Sequence, residues 1–329
     1  MEIQCLLPSN VIPNGVKSLH LSYKSSPITM GMIPETTDTL FIDNQYPLST
    51  ESLPRNLKKL ELTGYNTELV PGILPNQLKT LVLMSYNKPI AEGTLPETIE
   101  QLYLTQCNQE LKANQLPPSI KRLVFSSINY SKMINSVFPP NLEILNIHKI
   151  PANSKLLGNL LHLKKLYIGN IDCQIIDIQF PPLLEKLSIV SLFDDKIKIS
   201  RNTFPQGLKS FSLEFCSSEL TLEWLQLLPN GIESMKLPST ITTLKVGLLP
   251  KSLKKIRVGL IYSDPLKAGV FPEGLEILRL SGLQEKSLTK YMIPSTLKHI
   301  YLSHSIDKNW ILKICKLPFY CIIHSNNYY

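Results

Sequence analysis

A proline recurs along this chain at a nearly constant interval, and three apolar residues follow it at offsets 3, 6 and 8. The prolines are Pro13, Pro34, Pro54, Pro75, Pro96, Pro117, Pro139, Pro181, Pro205, Pro229, Pro250, Pro272 and Pro294, mostly 20 to 22 residues apart with steps of 24 on both sides of Pro205. One slot lacks its proline: in LGNLLHLKKLYIGN (157–170), Leu163, Leu166 and Ile168 hold the three apolar places. The last two apolar positions of each copy are separated by one residue, which is the alternation of a strand. A segment of about 21 residues with one strand cannot bury its own apolar face, but stacked copies can.

The expected fold is therefore a leucine-rich-repeat-like solenoid of the α/β type. About fourteen coils carry a curved parallel β-sheet on the concave face, with irregular or short helical return segments. Apolar residues make up 43% of the chain and charged residues 18%, enough for a continuous core and against disorder. The proline suits the entry to each strand, since its missing N–H is harmless before the ladder begins.

Two further columns concern the return segment. Asn66, Asn87, Asn108 and Asn129 stand 21 apart at offset 12, where an inward asparagine ladder would satisfy the buried amides of the bend. Leu69, Ile90 and Leu111 follow three residues later as core plugs. At offset 18 stand Gly31, Gly72 and Gly93, then Asn114 and Asn135, a substitution pattern that predicts positive φ.

The stretches YNTELVPGILPNQLKTLVL (65–83) and YNKPIAEGTLPETIEQLYL (86–104) resemble FNIP repeats, the leucine-rich-repeat relatives of social amoebae and giant DNA viruses. That family's unit runs roughly Phe-Asn-x-x-Ile/Leu, Gly, Leu-Pro, Leu-x-x-Leu-x-Leu; here Tyr65 and Tyr86 take the phenylalanine place. The likeness is specific over 13–135 and thinner beyond, where the asparagine and glycine columns fade. Some relatives carry an F-box ahead of the repeats and would deliver substrates to a ubiquitin ligase. Here repeats begin by Pro13, so such an adaptor role would need a partner to supply the box.

The expected organisation is an N-terminal cap at 1–12, the solenoid at 13–302 and a C-terminal cap at 303–329. Irregularities are expected at 148–160 and 214–250. In the second of these, SSELTLEWLQLLPNG (217–231) reads as a short helix. Pro238, Ile241, Leu244 and Val246 follow Pro229 too closely for both pieces to join the sheet.

Two columns point outward. Offset 4 reads Lys17, Asp38, Lys58, Lys79, Glu100, Lys121, Glu143, Lys164, Glu185, Lys209, Glu233, Lys254, Glu276, Lys298, a ladder of opposite charges between adjacent coils. Offset 7 is apolar and aromatic at first, with Phe41, Val82, Tyr103, Val124 and Tyr167, and basic later, with Lys236, Arg257 and Arg279, then Tyr301; Lys255 adjoins it. Exposed aromatics and arginines are the residue types that anchor partners. Phe41, Tyr103, Tyr167, Lys236, Lys255, Arg257, Arg279 and Tyr301 are accordingly the candidate partner-binding residues.

Nucleophile elbows, phosphate loops, dinucleotide glycine patterns and zinc-protease helices are missing from the sequence. Six cysteines show no metal or disulfide spacing; Cys315, Cys321 and His324 are close together but read as packing of the cap. No catalytic residue, cofactor or metal is expected. The first residues lack a signal-peptide pattern and no run of about 18 apolar residues exists, so a reduced, soluble, cytoplasmic protein is expected, in a host cytoplasm if viral. The expected activity is protein–protein interaction on the concave sheet by a monomer. Net charge of +8 keeps nucleic acid or another acidic ligand open as the alternative.

Overall fold

The computed structural model describes residues 2–3, 11–22, 27–43, 46–106, 109, 111–112, 115–126, 138–150, 157–171, 178–192, 203–216, 222–238, 244–259, 265–281, 289–303 and 306–325. The chain divides into two compact units, Met1–His148 with Leu160–Leu163, and Lys149–Asn159 with Lys164–Tyr329. Each is a β-solenoid whose coils stack through a parallel sheet.

The first unit contains β1 (Glu2–Ile3), β2 (Ser18–Ser22), β3 (Thr39–Asp43), β4 (Lys59–Thr63), β5 (Thr80–Met84), β6 (Gln101–Thr105) and β7 (Arg122–Ser126), with β8 (Ile144–Ile150) running through its boundary. Every neighbouring pair from β1 to β8 is parallel, and the repeat columns pair in register: Leu60 with Leu81, Leu81 with Leu102, Leu102 with Leu123. The second unit contains β9 (Lys165–Ile171), β10 (Lys186–Leu192), β11 (Ser210–Cys216), β12 (Ser234–Leu237), β13 (Lys255–Gly259), β14 (Ile277–Ser281), β15 (His299–Leu302) and β16 (Ile322–Ser325), again all parallel in chain order.

The apolar columns form the core. Leu57, Leu60 and Leu62 are fully buried, as are Leu78, Leu81 and Leu83; Leu69, Ile90 and Leu111 close the core from the return side. Each such leucine stabilises the fold by about 1.5–3 kcal/mol relative to exposure. The proline starts a turn before the strand rather than the strand itself: its carbonyl accepts the N–H of the offset-3 leucine, Leu78 to Pro75 and Leu275 to Pro272 both at 3.0 Å. Without a proline, Leu160 makes the same turn to Leu163 at 3.1 Å. One coil is then tied to the next by a shared acceptor: the Lys58 carbonyl takes the N–H groups of Lys79 and Thr80 at 2.8 and 2.9 Å.

The glycine column has the expected backbone. Gly31, Gly72 and Gly93 have φ of 77°, 89° and 77°. Each is the third residue of a four-residue turn, for example Val70 to Ile73 and Ala91 to Thr94, closed by N–H to carbonyl bonds of 3.3 and 3.2 Å. A type II turn demands positive φ there. Asn114 and Asn135 lie outside the described residues.

At the described positions the asparagines do not turn inward. Asn66 and Asn87 are exposed, and Asn108 and Asn129 lie outside the described residues. Tyr65 and Tyr86 turn inward instead, 1% and 0% exposed, with rings stacked at 6.5 Å and 10°. Strand alternation carried forward from offsets 6 and 8 puts offset 12 inside. The chain interrupts that alternation at offset 10, where Gly64, Ser85 and Gln106 all have positive φ, of 67°, 62° and 56°. The left-handed residue shifts the phase by one, so offset 11 faces the core and offset 12 the solvent.

The irregular region of the second unit also has a physical account. Leu222–Leu227 forms a 3₁₀ helix whose Trp224 meets Phe211 edge-on at 5.6 Å, so the longer steps around Pro205 admit an extra aromatic layer. Of the two competing pieces, Ser234–Leu237 enters the sheet; of the other, Ile241 lies outside the described residues, and Lys245–Leu248 is a turn with Gly247 at φ 85°. Near the C-terminal end, helix α1 (Lys308–Ile314) is capped by Asp307 and buries Ile311.

Candidate binding face

Strand alternation sends every second residue to the face opposite the core, so each candidate residue of offset 7 stands on the sheet's open face in its own unit. In the first unit the row is His20, Phe41, Glu61, Val82, Tyr103, Val124, Asn146. It does not form a continuous apolar stripe. The Lys59 ammonium lies 4.8 Å over the Phe41 ring, with His20 on its other side at 5.9 Å. Val82 is only 8% exposed, and the Tyr103 hydroxyl donates to Gln101 Oε1 at 3.2 Å. Long polar neighbours fold over the rings because their stems bury apolar surface while their heads stay wet.

The second unit holds a different row: Tyr167, Ser188, Ser212, Lys236, Arg257, Arg279, Tyr301, His324, consecutive partners across β9 to β16. The structure therefore brings Tyr167 together with the basic candidates and leaves Phe41 and Tyr103 in the other unit. Lys186 reaches over the Tyr167 ring at 5.2 Å. Lys236 is paired with Glu214 at 2.6 Å. The Arg279 guanidinium sits 4.6 Å above the Tyr301 ring, and Tyr301 stacks on His324 at 4.3 Å and 10°. His299 and His324 face each other through Nδ1 and Nε2 at 3.1 Å, so one ring donates and the other accepts. Arg279 is held in place by an aromatic stack, yet its Nε is buried without a hydrogen-bond partner.

Like charges are crowded here. Burial, then the Arg279 charge and then that of Lys186, pull the Lys255 ammonium below its ordinary range. The carboxylates of the flanking edge column are engaged: Glu185 with Lys209 at 4.0 Å, Glu233 with Lys254 at 3.4 Å, Glu276 with Lys298 at 3.0 Å. The ladder continues in the first unit, where Glu100 lies 3.0 Å from Lys79 and 3.3 Å from Lys121. Inspection of offset 7 alone missed Lys186, Ser210 and Ser234, which sit at offset 5 on the same face; combining the two columns would have found them.

Among the described residues no three His, Cys, Asp or Glu side chains are grouped to hold a metal. Cys315 is buried and points its Sγ at the Thr289 carbonyl 3.8 Å away, whereas His324 lies on the open face. Among the described residues no helix is long and apolar enough to cross a membrane. In the first unit a cavity of about 670 Å³ lies on the turn side among Met30, Gly31, Glu35, Glu51 and Arg55. The carboxylate of Glu35 is occupied there by the Arg55 amide at 2.9 Å.

Residues 44–85, 65–107, 86–128, 107–149 and 262–305 each match the FNIP Repeat family. Among solved structures, the circular leucine-rich-repeat protein CroV588 is similar over 98% of this chain, with a TM-score of 0.66 and 22% identity. This chain spans about half of that one, 48%. YopM from Yersinia enterocolitica matches over 97% of this chain and 70% of its own, at 16% identity and a TM-score of 0.43. Among curated proteins none matches.

Proposed function

We propose, from the premise that this is an FNIP-repeat protein, that it is a non-catalytic docking surface. The open face of the second unit would receive an acidic segment of a protein partner. Repeat solenoids of this leucine-rich-repeat type characteristically serve protein–protein interaction. The observation that carries the reading is the in-register row Lys236, Arg257, Arg279 with Lys255 beside it, four cations clustered on three adjoining strands. Strands stand about 4.8 Å apart, so an extended acidic peptide crossing them meets a cation at each step. Tyr167 and Tyr301 flank that row, each already lying under a cation, and would add aromatic contact to the same partner; Phe41 and Tyr103 would serve the first unit's face.

Nucleic acid is the second reading, favoured by the same cations. Against it, the edge column alternates lysine with Glu185, Glu233 and Glu276, which would meet a phosphate backbone running along the sheet.

Affinity capture from cell lysate tests both readings, comparing the wild type with Tyr103→Ala/Tyr167→Ala and Arg257→Glu/Arg279→Glu. A protein held by the wild type, lost with the arginine variant and released by salt is the expected result. Nuclease-sensitive material lost with the same variant would move the assignment to nucleic acid. A partner retained by both variants would remove this face from the interaction.

A further inference from the structure

We infer that His299 on β15 and His324 on β16 form a two-imidazole chelate for a divalent transition ion of the nitrogen-preferring kind: nickel, copper or zinc. The site is a pair of facing nitrogen donors on the open face of the second unit, and it stands whether or not an acidic segment docks on the cations nearby.

Register makes the pair. His299 stands opposite Ile322 and Tyr301 opposite His324, so the two histidines are diagonal neighbours on parallel strands. Both are partly exposed, and an ion reaches them from solvent. Nδ1 of His299 and Nε2 of His324 are 3.1 Å apart. Metal–nitrogen bonds of about 2.0–2.1 Å set two adjacent ligands of a tetrahedral or square site roughly 2.9–3.4 Å apart, and the observed gap lies inside that span. One ring now donates an N–H to the lone pair of the other. Moving that proton to the donor ring's second nitrogen gives the other neutral tautomer, turns both lone pairs to the gap and releases no proton. The ring centroids are 5.2 Å apart, so the imidazoles meet nearly head-on, and each must pivot slightly to give the bent approach an ion needs. His324 can pivot within its own plane, which keeps its stack on Tyr301 at 4.3 Å and 10°.

The donor set selects the ion. Imidazole nitrogen suits copper, nickel and zinc, whereas magnesium and calcium require oxygen. Among the described residues no third histidine, cysteine or carboxylate joins the pair. The remaining coordination positions therefore fall to water or to a donor from a partner, and the ion is exchangeable, unlike one held by four protein ligands. Arg279, the cation next in the row, lies 4.6 Å from the centroid of Tyr301 on β14's side of that ring, and His324 lies on the β16 side. The ring thus stands between the guanidinium and His324. An ion at the pair extends the cationic row beyond Arg279 and offers a coordination position to a carboxylate.

The test titrates the full chain with nickel(II) chloride in a non-coordinating buffer and follows the imidazole C–H signals of isotope-labelled histidine by NMR. The first equivalent should broaden two of the six histidine signals, those absent from the spectra of His299→Ala and His324→Ala. Each of these variants should bind nickel at least tenfold more weakly in calorimetry, because one imidazole alone does not chelate. His162→Ala, which removes an exposed histidine elsewhere, should bind like the wild type. Circular dichroism checks that all three variants fold. Wild-type binding no tighter than that of His299→Ala or His324→Ala means an adventitious ion only and overturns the site. Broadening of other histidines before these two also overturns it. So does displacement of nickel by a tenfold excess of magnesium, which would reveal oxygen ligands.

Discussion

The phenol oxygen of Tyr86 accepts a hydrogen bond from the backbone amide of Leu69 at 3.0 Å, across 17 residues of chain, and Tyr65 does the same for Leu48 at 3.1 Å. Each tyrosine reaches back into the preceding coil and satisfies an amide that the bend has buried. The spacing of the sequence predicts this task for the asparagines beside them. The phenol does it while its ring also fills the core, which a carboxamide cannot.

Removing the hydroxyl should therefore cost more than a surface change. Tyr86→Phe keeps the ring stack but leaves the Leu69 N–H buried without an acceptor. A loss of about 1–3 kcal/mol is expected from urea unfolding monitored by circular dichroism. Asn87→Ala, beside it and exposed, should cost less than about 0.5 kcal/mol. Equal losses at the two positions would contradict the inward tyrosine.

Burial also pushes the Tyr65 phenol up, opposed by the Leu48 amide. A group whose folded pKa is raised contributes stability that is complete below its unfolded value and lost as pH rises through the folded one. Stability should thus fall above pH 10, the ordinary tyrosine value. Tyr65→Phe should flatten that alkaline limb in urea titrations taken on both sides of it.

At Gly93 the limitation is backbone conformation and not space. A Cβ there meets no atom within 4 Å, but φ is +77°. Gly93→Ala should destabilise by about 1–2 kcal/mol, and Gly93→Asn by less, since asparagine tolerates the left-handed region. If both substitutions are neutral in thermal melts, the turn does not need its positive φ.

Glu100 is hydrogen-bonded first by Lys79 and then by Lys121, which hold its carboxyl below the ordinary range. Its depressed pKa means stability present above the unfolded value of 4.5 and lost as pH falls through the folded value. Because these side chains are about half exposed, Glu100→Gln should cost only about 0.2–1 kcal/mol, less at high salt. Glu100→Lys, which sets three like charges in adjacent coils, should cost more at low salt than at high.

Cys315 is buried, and desolvation raises its thiol to about 11. Alkylation of this residue at neutral pH should be slow and should track unfolding, accelerating in urea in step with the loss of circular dichroism. Fast modification of the native protein would place Cys315 at the surface.

The repeat period, the three apolar columns, the turn glycines and the alternating charge ladder were all legible in the amino-acid sequence. Each depends on spacing along a strand or on the conformation of a single residue, and such constraints recur identically in every coil. The family likeness rests on the same columns. Which residue faces the core after the strand was not legible. It depends on left-handed backbone at Gly64, Ser85 and Gln106, three unlike residues whose shared φ is imposed by stacking against neighbouring coils. The open face depended on tertiary structure for the same reason. Lys59 covering Phe41, Lys186 reaching over Tyr167 and Arg279 lying on Tyr301 involve side chains from different coils, and only the register of the stacked strands brings them together.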